Sequence, residues 1–235
     1  MSASRASVGA VIAAAGSSSR MAGADKLFVP LGGRPLLART IQAFQDSPLV
    51  ERIVLVLSAA NLERGVKLAA ERGIDKLSAV CEGGPRRQDS VRLGLEALGL
   101  CDWVLVHDGA RPLASAELVE RGLAAARETG AAVPAVPLAD TVKLAAPDGT
   151  VERALDRDRL WAAQTPQVFR YDLLLRAHRE VTDDVPDDAA MLEALGLPVK
   201  LFEGSPANIK VTTPEDLCLA EALLEAGAAS VRGDA

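Results

Sequence analysis

The sequence predicts an α/β protein, with a doubly wound, mostly parallel sheet and a projecting β-hairpin arm. Three observations predict this fold class: short apolar runs of strand length, amphipathic windows of helix length between them, and the regular alternation of the two. Runs that are apolar at nearly every position are typical of strands covered on both faces. The repeated strand–loop–helix order therefore indicates parallel strands joined by right-handed crossovers.

The alternation occupies the chain up to residue 136. The runs predicted as strands are residues 8–14, 52–57, 76–81, 103–107 and 131–136. The windows predicted as helices are residues 35–46, 61–72, 90–98 and 115–128. Pro35 suits a first helical position, and Asn61 and Ser90 are capping-type residues at predicted starts.

A different pattern follows Pro137. Two β-prone segments, 141–144 and 150–153, flank Pro147-Asp148-Gly149, which predicts a β-hairpin arm over about residues 138–158. The arm either contacts a partner subunit, which favours a homodimer, or folds onto its own domain, and the residues alone leave both open. The later predicted elements are helices at 171–182, 187–195 and 213–225 and a strand at 199–203, which complete one domain over residues 1–235.

The composition excludes several classes of protein. Lys plus Arg number 26 and Asp plus Glu 32, so the net charge is −6, and only four Phe, two Trp and one Tyr are present. Nucleic-acid binding proteins need basic grooves and stacking platforms, so we expect no such partner. No apolar run approaches the ~18 residues that indicate a membrane span. Three scattered cysteines form no metal-ligand pair and favour a reducing cytoplasm.

The first two loops at the carboxyl ends of predicted strands are rich in small residues. Ligands of open α/β sheets bind at that edge. After the first strand come Gly16, Arg20 and Lys26, where small residues let backbone N–H groups approach an anion and two cations add charge. Residues 82–90 contain Gly83 and Gly84 before a helix. Taken singly, these loops could also be a flexible Ser/Gly loop and an ordinary turn with a helix cap; neither has a P-loop or dinucleotide-binding spacing.

The other two loops supply a carboxylate and another cation. Asp108 directly follows a buried strand, and one carboxylate plus substrate phosphates is the usual way proteins hold Mg²⁺. We interpret the adjacent His107 as a buried core histidine rather than a ligand. Lys210 precedes the last predicted helix. Cations, a strand-end carboxylate and an anion loop together predict transfer at a phosphorus atom, where the protein positions groups and neutralises charge.

These segments, in this order, resemble the 2-C-methyl-D-erythritol 4-phosphate cytidylyltransferase family over roughly residues 8 to 225. The most specific are His-Asp-x-Ala-Arg-Pro at 107–112 and Asn-Ile-Lys-Val-Thr at 208–212. The resemblance implies a homodimer that uses Mg²⁺ to join CTP to 2-C-methyl-D-erythritol 4-phosphate. The products would be 4-diphosphocytidyl-2-C-methyl-D-erythritol and pyrophosphate, in non-mevalonate isoprenoid biosynthesis. The alternatives are a cytidylyltransferase for another polyol phosphate, such as ribitol 5-phosphate, and a non-catalytic nucleotide-binding protein.

The resemblance also implies a role for each matched residue. The catalytic cations around the triphosphate and α-phosphorus would be Arg20, Lys26 and Lys210, and Asp108 would lie near the metal. The nucleotide site would be formed by Ala14, Ala15, Gly16, Gly84 and Ser90. The sugar phosphate would be held by Arg111, Thr141, Thr165 and, from the neighbouring subunit's arm, Arg157.

The chain departs from the family's pattern at four loop positions. Asp25 stands where the family often has Pro, Ser18 where it commonly has Gly, and Gly109 where it often has Ala. Pro85 occupies a place where a polar residue often contacts cytidine. These departures concern loop rigidity and base contacts rather than the type of reaction.

Overall fold

The fold is described from a computed structural model that covers residues 6–16 and 25–233. Predicted site residue Arg20 and the departure at Ser18 lie outside this range. The strands are β1 (Val8–Ala14), β2 (Pro30–Leu31), β3 (Arg34–Pro35), β4 (Arg52–Leu57), β5 (Leu77–Glu82), β6 (Trp103–Asp108), β7 (Ala131–Pro137), β8 (Lys143–Ala145), β9 (Val151–Ala154), β10 (Trp161–Ala163), β11 (Gln167–Arg170) and β12 (Lys200–Glu203). The α-helices are α1 (Leu36–Asp46), α2 (Leu62–Arg72), α3 (Arg87–Leu98), α4 (Ala116–Thr129), α5 (Tyr171–Glu180), α6 (Asp188–Ala194) and α7 (Pro214–Gly233).

A central sheet organises the molecule, in the order β10-β7-β11-β6-β1-β4-β5, with β12 paired to β7. Strands β6, β1, β4 and β5 are parallel neighbours, while β11 runs antiparallel between β6 and β7. The predicted α/β class and mostly parallel sheet are confirmed. The antiparallel strands β10 and β11 were not predicted, because runs of three and four residues are too short to show a clear period.

Both faces of the sheet are covered by helices, which explains the continuous apolar runs. Ile12 and Leu55 face a layer formed by α1, α2 and α4, whereas Val11 and Val54 face α3, α5 and α6. Successive side chains of a strand point to opposite faces, so a strand buried on both faces is apolar at almost every position.

Two helices differ from their predicted bounds by more than two residues. Helix α3 begins at Arg87, one turn before the predicted start, and its first turn is closed by the Asp89 carboxylate, which accepts the N–H of Arg86 at 3.2 Å. Helix α7 continues to Gly233 instead of ending near residue 225. Of the helices in the described ranges, none combines the length and the hydrophobicity that a membrane span requires.

The predicted hairpin arm is present as β8 and β9, which pair only with each other. Its turn is held by the Asp148 carboxylate, which accepts the N–H of Thr150 at 2.9 Å. Gly149 has φ +85°, a left-handed conformation that favours glycine. Every residue of both strands is exposed, including Leu144 and Val151, so the arm contributes nothing to the core.

Candidate active site

A cavity of about 450 Å³ opens at the carboxyl ends of β1, β5 and β6. Backbone hydrogen bonds continue beyond the strand ends and bring its walls together. The N–H of Gly109 donates to the carbonyl of Ala13 at 2.8 Å, and the N–H of Val211 donates to the carbonyl of Ala110 at 2.8 Å. The segment that carries Lys210 therefore lies directly against the end of β6. The cavity is lined by Ala13, Ala14, Ala15, Gly16, Lys26, Leu27, Gly84, Pro85, Arg86, Arg87, Ser90, Asp108, Gly109, Ala110, Lys210 and Thr212.

The Gly-rich wall of the cavity is formed by close backbone approaches. A Cβ atom on Gly83 would lie 2.3 Å from the Cβ of Ala15, and one on Gly84 would lie 2.5 Å from the Cβ of Asp89. Side chains at these positions would force the two loops apart. Ser90 Oγ lies 3.3 Å from the carbonyl of Gly84, which ties the loop to the start of α3. This wall therefore offers backbone groups at short range to a ligand.

Asp108 is the electrostatic centre of the cavity. Its Oδ2 lies 2.8 Å from Lys210 Nζ, and its Oδ1 accepts a hydrogen bond from Arg87 Nε at 3.2 Å. Arg111 Nε lies 3.7 Å from the same carboxylate. Burial tends to raise the pKa of Asp108, but the charges of Arg87 and Lys210 hold that pKa well below its usual range. The carboxylate is therefore ionised throughout the physiological pH range.

Lys26 is placed at the cavity by a short 3₁₀ helix, Lys26–Phe28. Its Nζ donates to the carbonyl of Val211 at 3.2 Å, next to Lys210 in the chain. Asp25 caps the 3₁₀ helix by accepting the N–H of Leu27 at 3.2 Å, and its other oxygen accepts from Asn61 Nδ2 at 2.5 Å. Asp25 thus anchors Lys26 to the start of α2, which gives this departure from the family's pattern a structural role.

His107 and Thr165 support the carboxylate from behind. The N–H of Asp108 donates to Thr165 Oγ1 at 3.1 Å, the Thr165 hydroxyl lies 2.9 Å from His107 Nδ1, and His107 Nε2 lies 3.0 Å from the carbonyl of Arg111. A carbonyl only accepts, so Nε2 carries the proton and Nδ1 accepts from the hydroxyl. Complete burial lowers the pKa of His107 to about 4, which keeps the ring neutral. The interpretation of His107 as a core histidine agrees with these contacts.

The predicted site residues divide into three groups. The cavity brings together the residues Ala14, Ala15, Gly16, Lys26, Gly84, Ser90, Asp108 and Lys210. Thr165 and Arg111 do not line it, but each contacts Asp108, and Arg111 Nη1 also donates to the carbonyl of Asn208 at 2.8 Å. Thr141 and Arg157 do not line it either: Thr141 is exposed just before β8, and Arg157 donates to the carbonyl of Ala139 at 2.7 Å.

Sequence reasoning missed Arg87 and Asp188, two charged residues joined to each other at this site. Arg87 lines the cavity, and Asp188, the first residue of α6, binds Arg87 from beneath. Arg87 stands in the Gly-rich loop that the sequence singled out, but nothing in the sequence separates it from its neighbour Arg86. Asp188 follows another aspartate at a predicted helix start, where capping explains an acidic residue sufficiently.

The comparisons with known proteins agree with one another. The family model for 2-C-methyl-D-erythritol 4-phosphate cytidylyltransferase (IspD) matches residues 8–226. A protein of that name from Dehalococcoides mccartyi (strain CBDB1) is 52% identical over 220 residues, covering 94% of this chain and 97% of the relative. Another, from Geobacillus kaustophilus (strain HTA426), is 46% identical, with 92% and 96% covered.

Solved structures show the same likeness. A crystal structure of 4-diphosphocytidyl-2C-methyl-D-erythritol synthase from Anaerococcus prevotii DSM 20548 is similar with a TM-score of 0.83 at 31% identity, covering 94% of this chain and 96% of that one. The cytidylyltransferase structure from Thermus thermophilus has a TM-score of 0.75 at 38% identity, with 92% and 98% covered.

The buried neutral His107 predicts a pH dependence of stability. Its pKa is about 4 in the folded protein and about 6.5 when unfolded, so the unfolded state binds more protons between these values. The stability due to this residue is fully present above pH 6.5 and is lost as the pH falls towards 4. The loss is about 1.4 kcal/mol per pH unit and about 3 kcal/mol in total.

Replacing the histidine tests this dependence. We expect His107→Gln to have a shallower decline in the free energy of unfolding between pH 6.5 and 4.5, measured by urea denaturation at several pH values. Above pH 7 the difference between variant and wild type should be constant and serves as the control. Parallel curves over the whole range would show that His107 does not titrate as described.

Proposed function

The chain belongs to the 2-C-methyl-D-erythritol 4-phosphate cytidylyltransferase family, and we propose that the cavity around Asp108 is where it joins its two substrates. The reaction transfers a cytidylyl group from CTP to 2-C-methyl-D-erythritol 4-phosphate, and releases pyrophosphate. Its product, 4-diphosphocytidyl-2-C-methyl-D-erythritol, belongs to non-mevalonate isoprenoid biosynthesis. The observation that carries this assignment to the cavity is the meeting of Lys26, Lys210 and Arg87 beside a wall of closely approaching backbone.

The acceptor supplies its own nucleophile. A phosphomonoester has a second pKa of about 6, so one of its oxygens is largely anionic at pH 7. That oxygen forms a bond to the α-phosphorus of CTP, and the bond from the α-phosphorus to the bridging oxygen of pyrophosphate breaks. The reaction therefore needs no general base. His107, which could be considered for that task, is buried, neutral and already bonded on both ring nitrogens.

The activation barrier of the reaction arises from the repulsion between the acceptor phosphate and the triphosphate of CTP, which are both anionic. Lys26 and Lys210 both line the cavity, where Lys26 Nζ donates to the carbonyl of Val211 and Lys210 Nζ pairs with Asp108. Cations fixed at this point offset the repulsion between the phosphates. They accelerate the reaction to the extent that they stabilise the transition state more than the bound substrates. Arg20 is proposed to contribute to the same charge cluster.

The residues present fit a Mg²⁺ ion held at Asp108. Among the described residues that line the cavity, Asp108 provides the only carboxylate, and it is ionised. No group of three or more His, Cys, Asp and Glu suited to a metal occurs in the described ranges. A single carboxylate is sufficient for Mg²⁺, because this ion is usually bound by one or two carboxylates together with phosphates and waters. The bound ion would neutralise phosphate charge and orient the triphosphate.

The Gly-rich wall is proposed to select cytosine. The loops pack too closely for a Cβ at Gly83 or Gly84, so this wall presents backbone groups, and buried hydrogen-bonding groups reject bases that leave them unpaired. Pro85 brings no polar side-chain atom and no backbone N–H to this wall. Recognition of the base would therefore depend on the other backbone groups of the loop.

The acceptor side is proposed to be completed by a second subunit. Arg111 and Thr165 stand beside Asp108, whereas Thr141 and Arg157 belong to the arm region and do not line the cavity. A homodimer in which the arm of one subunit reaches the cavity of the other would bring these groups together. Exposed Leu144 and Val151 on the arm support such a contact. Free cysteines at 81, 101 and 218 support a reducing cytoplasm as the location.

Removing either lysine should abolish most of the activity. We expect Lys26→Ala and Lys210→Ala to lower kcat by ~10²–10³, by analogy with the loss of one well-placed transition-state donor. Pyrophosphate release from CTP measures the effect, and circular dichroism checks folding. Lys200→Ala is the control, because Lys200, the first residue of β12, forms an exposed ion pair with Glu128 of α4. Near-native turnover in a lysine variant would remove that residue from the site.

The choice of substrates tests the reaction itself. With Mg²⁺ present, we expect rapid pyrophosphate release from CTP and 2-C-methyl-D-erythritol 4-phosphate, and at least about 10²-fold lower kcat/KM with ATP. Ribitol 5-phosphate in place of the methylerythritol phosphate should be a poor acceptor. Preference for ribitol 5-phosphate would overturn the acceptor assignment, and equal use of ATP would overturn the assignment of the cytosine wall.

Mixing two inactive variants tests the shared site. Lys210→Ala damages the cavity, whereas Arg157→Ala damages the arm, so a mixed dimer retains one intact site. Co-expression of both should restore about a quarter of wild-type activity, because random assembly of a twofold dimer makes half of the dimers mixed. Each variant expressed alone is the control. Failure of mixed dimers, isolated by two affinity tags, to regain activity would contradict the contribution of the arm.

A further inference from the structure

A buried ion pair beneath the cavity takes no part in the reaction as described above. Arg87, the first residue of α3, donates from Nη1 to Asp188 Oδ2 at 2.6 Å. The side chain of Asp188, the first residue of α6, is 0% exposed. The same guanidinium donates from Nε to Asp108 Oδ1 at 3.2 Å. One arginine therefore joins a fully buried carboxylate to the carboxylate at the centre of the cavity.

Helix capping does not explain the carboxylate of Asp188. The cap of α6 is Asp187, whose Oδ1 accepts the N–H of Ala190 at 2.9 Å. Burying an ionised carboxylate is costly unless a partner of good geometry compensates it, and replacing such pairs with apolar residues often leaves stability unchanged. The nearby His178 Nε2 lies 3.5 Å from Asp188 Oδ1. A role in the site accounts for this charge where a role in the helix does not.

The geometry of arginine suits this bridge. Guanidinium is planar and presents several N–H donors in a rigid fork, so it holds two carboxylates in fixed relative positions. With Arg87 on Oδ1 of Asp108, the other oxygen, Oδ2, is turned towards Lys210. Burial tends to lower the pKa of Arg87, but the charges of Asp188 and Asp108 hold that pKa above its usual range. The bridge is therefore permanently charged.

We propose that Asp188 is a positioning residue, which acts through Arg87 to fix the orientation of Asp108 and to limit the positive charge that competes with a metal ion there. This inference rests on the proposed function of the cavity. The negative charge of Asp188 offsets part of the positive charge of Arg87, so the attraction between Arg87 and Asp108 is weaker. Without the Asp188 charge, Arg87 binds Asp108 more strongly and Mg²⁺ binds less well. Without the guanidinium group of Arg87, the carboxylate of Asp108 loses its fixed orientation.

Two variants separate these effects. In Asp188→Asn only Asp108 compensates the charge of Arg87. We expect the half-saturating Mg²⁺ concentration to rise by about 10-fold or more, as is typical when an outer partner of a metal ligand is lost. Binding of Mn²⁺ in the presence of CTP, measured by electron paramagnetic resonance, should weaken by a similar factor. Arg87→Lys keeps the charge but cannot hold both carboxylates, and its kcat should fall by about 10-fold or more.

The control is Arg92→Gln, on the same helix. Arg92 forms an exposed ion pair with Glu96 at 2.7 Å, and we expect wild-type kcat, Mg²⁺ dependence and Mn²⁺ binding from this variant. Unfolding temperatures are measured for all variants. If Asp188→Asn does not fold, Arg87→Lys, which keeps the charge balance, decides the test through its kcat.

The outcomes for this inference and for the proposed function differ. No pyrophosphate release by the wild-type enzyme would overturn the proposed function, while Mn²⁺ titration of Asp188→Asn would still test the charge balance at Asp108. Native Mg²⁺ dependence and native kcat in both variants would overturn the inference. Activity that falls only in proportion to the folded fraction, with unchanged Mg²⁺ and Mn²⁺ constants, would also overturn it.

Discussion

The contact between the Asp108 carboxylate and the cations around it is the interaction on which the site depends. Lys210, Arg87 and Arg111 come from three separate parts of the chain and meet at this carboxylate. The contact is possible because Asp108 ends a strand that is buried from Val104 onward. The segment before α7 reaches the same place, because the N–H of Val211 donates to the carbonyl of Ala110. A sheet covered on both faces thus presents one fixed negative charge at its edge, and positive side chains collect around it.

The sequence predicts the parts of this arrangement that depend on local pattern. Apolar runs locate the strands, and strand order then places Asp108 and the Gly83-Gly84 loop at one edge, because carboxyl ends of parallel strands coincide. The resemblance to a known family implies roles for the lysines, which no periodicity reveals. The glycines at positions 83 and 84 also have a physical explanation, since their loop lies too close to Ala15 and Asp89 for a Cβ.

Contacts between residues that are far apart in the sequence cannot be predicted from local sequence patterns. Arg87 and Asp188 are 101 positions apart. In the sequence alone, Arg87 resembles an ordinary loop cation and Asp188 an ordinary acidic residue at a helix start. Strands β10 and β11 are short, and their antiparallel insertion beside β6 and β7 depends on tertiary pairing rather than on their own residues. Asp25 similarly contacts Asn61 on another segment, a partner that its own neighbours in the sequence do not indicate. These features arise from packing, which sequence spacing does not encode.

The exposure of the arm determines how many substitutions the protein can accept there. Because every residue of β8 and β9 is exposed, exchanging side chains there costs little folding stability, usually within ~0.5 kcal/mol. The Gly-rich wall of the cavity is under the opposite constraint, because even one added methyl group at Gly83 or Gly84 collides with a neighbour. The fold therefore tolerates substitutions in the two hairpin strands, whereas the loop at Gly83 and Gly84 can change only if its neighbours move.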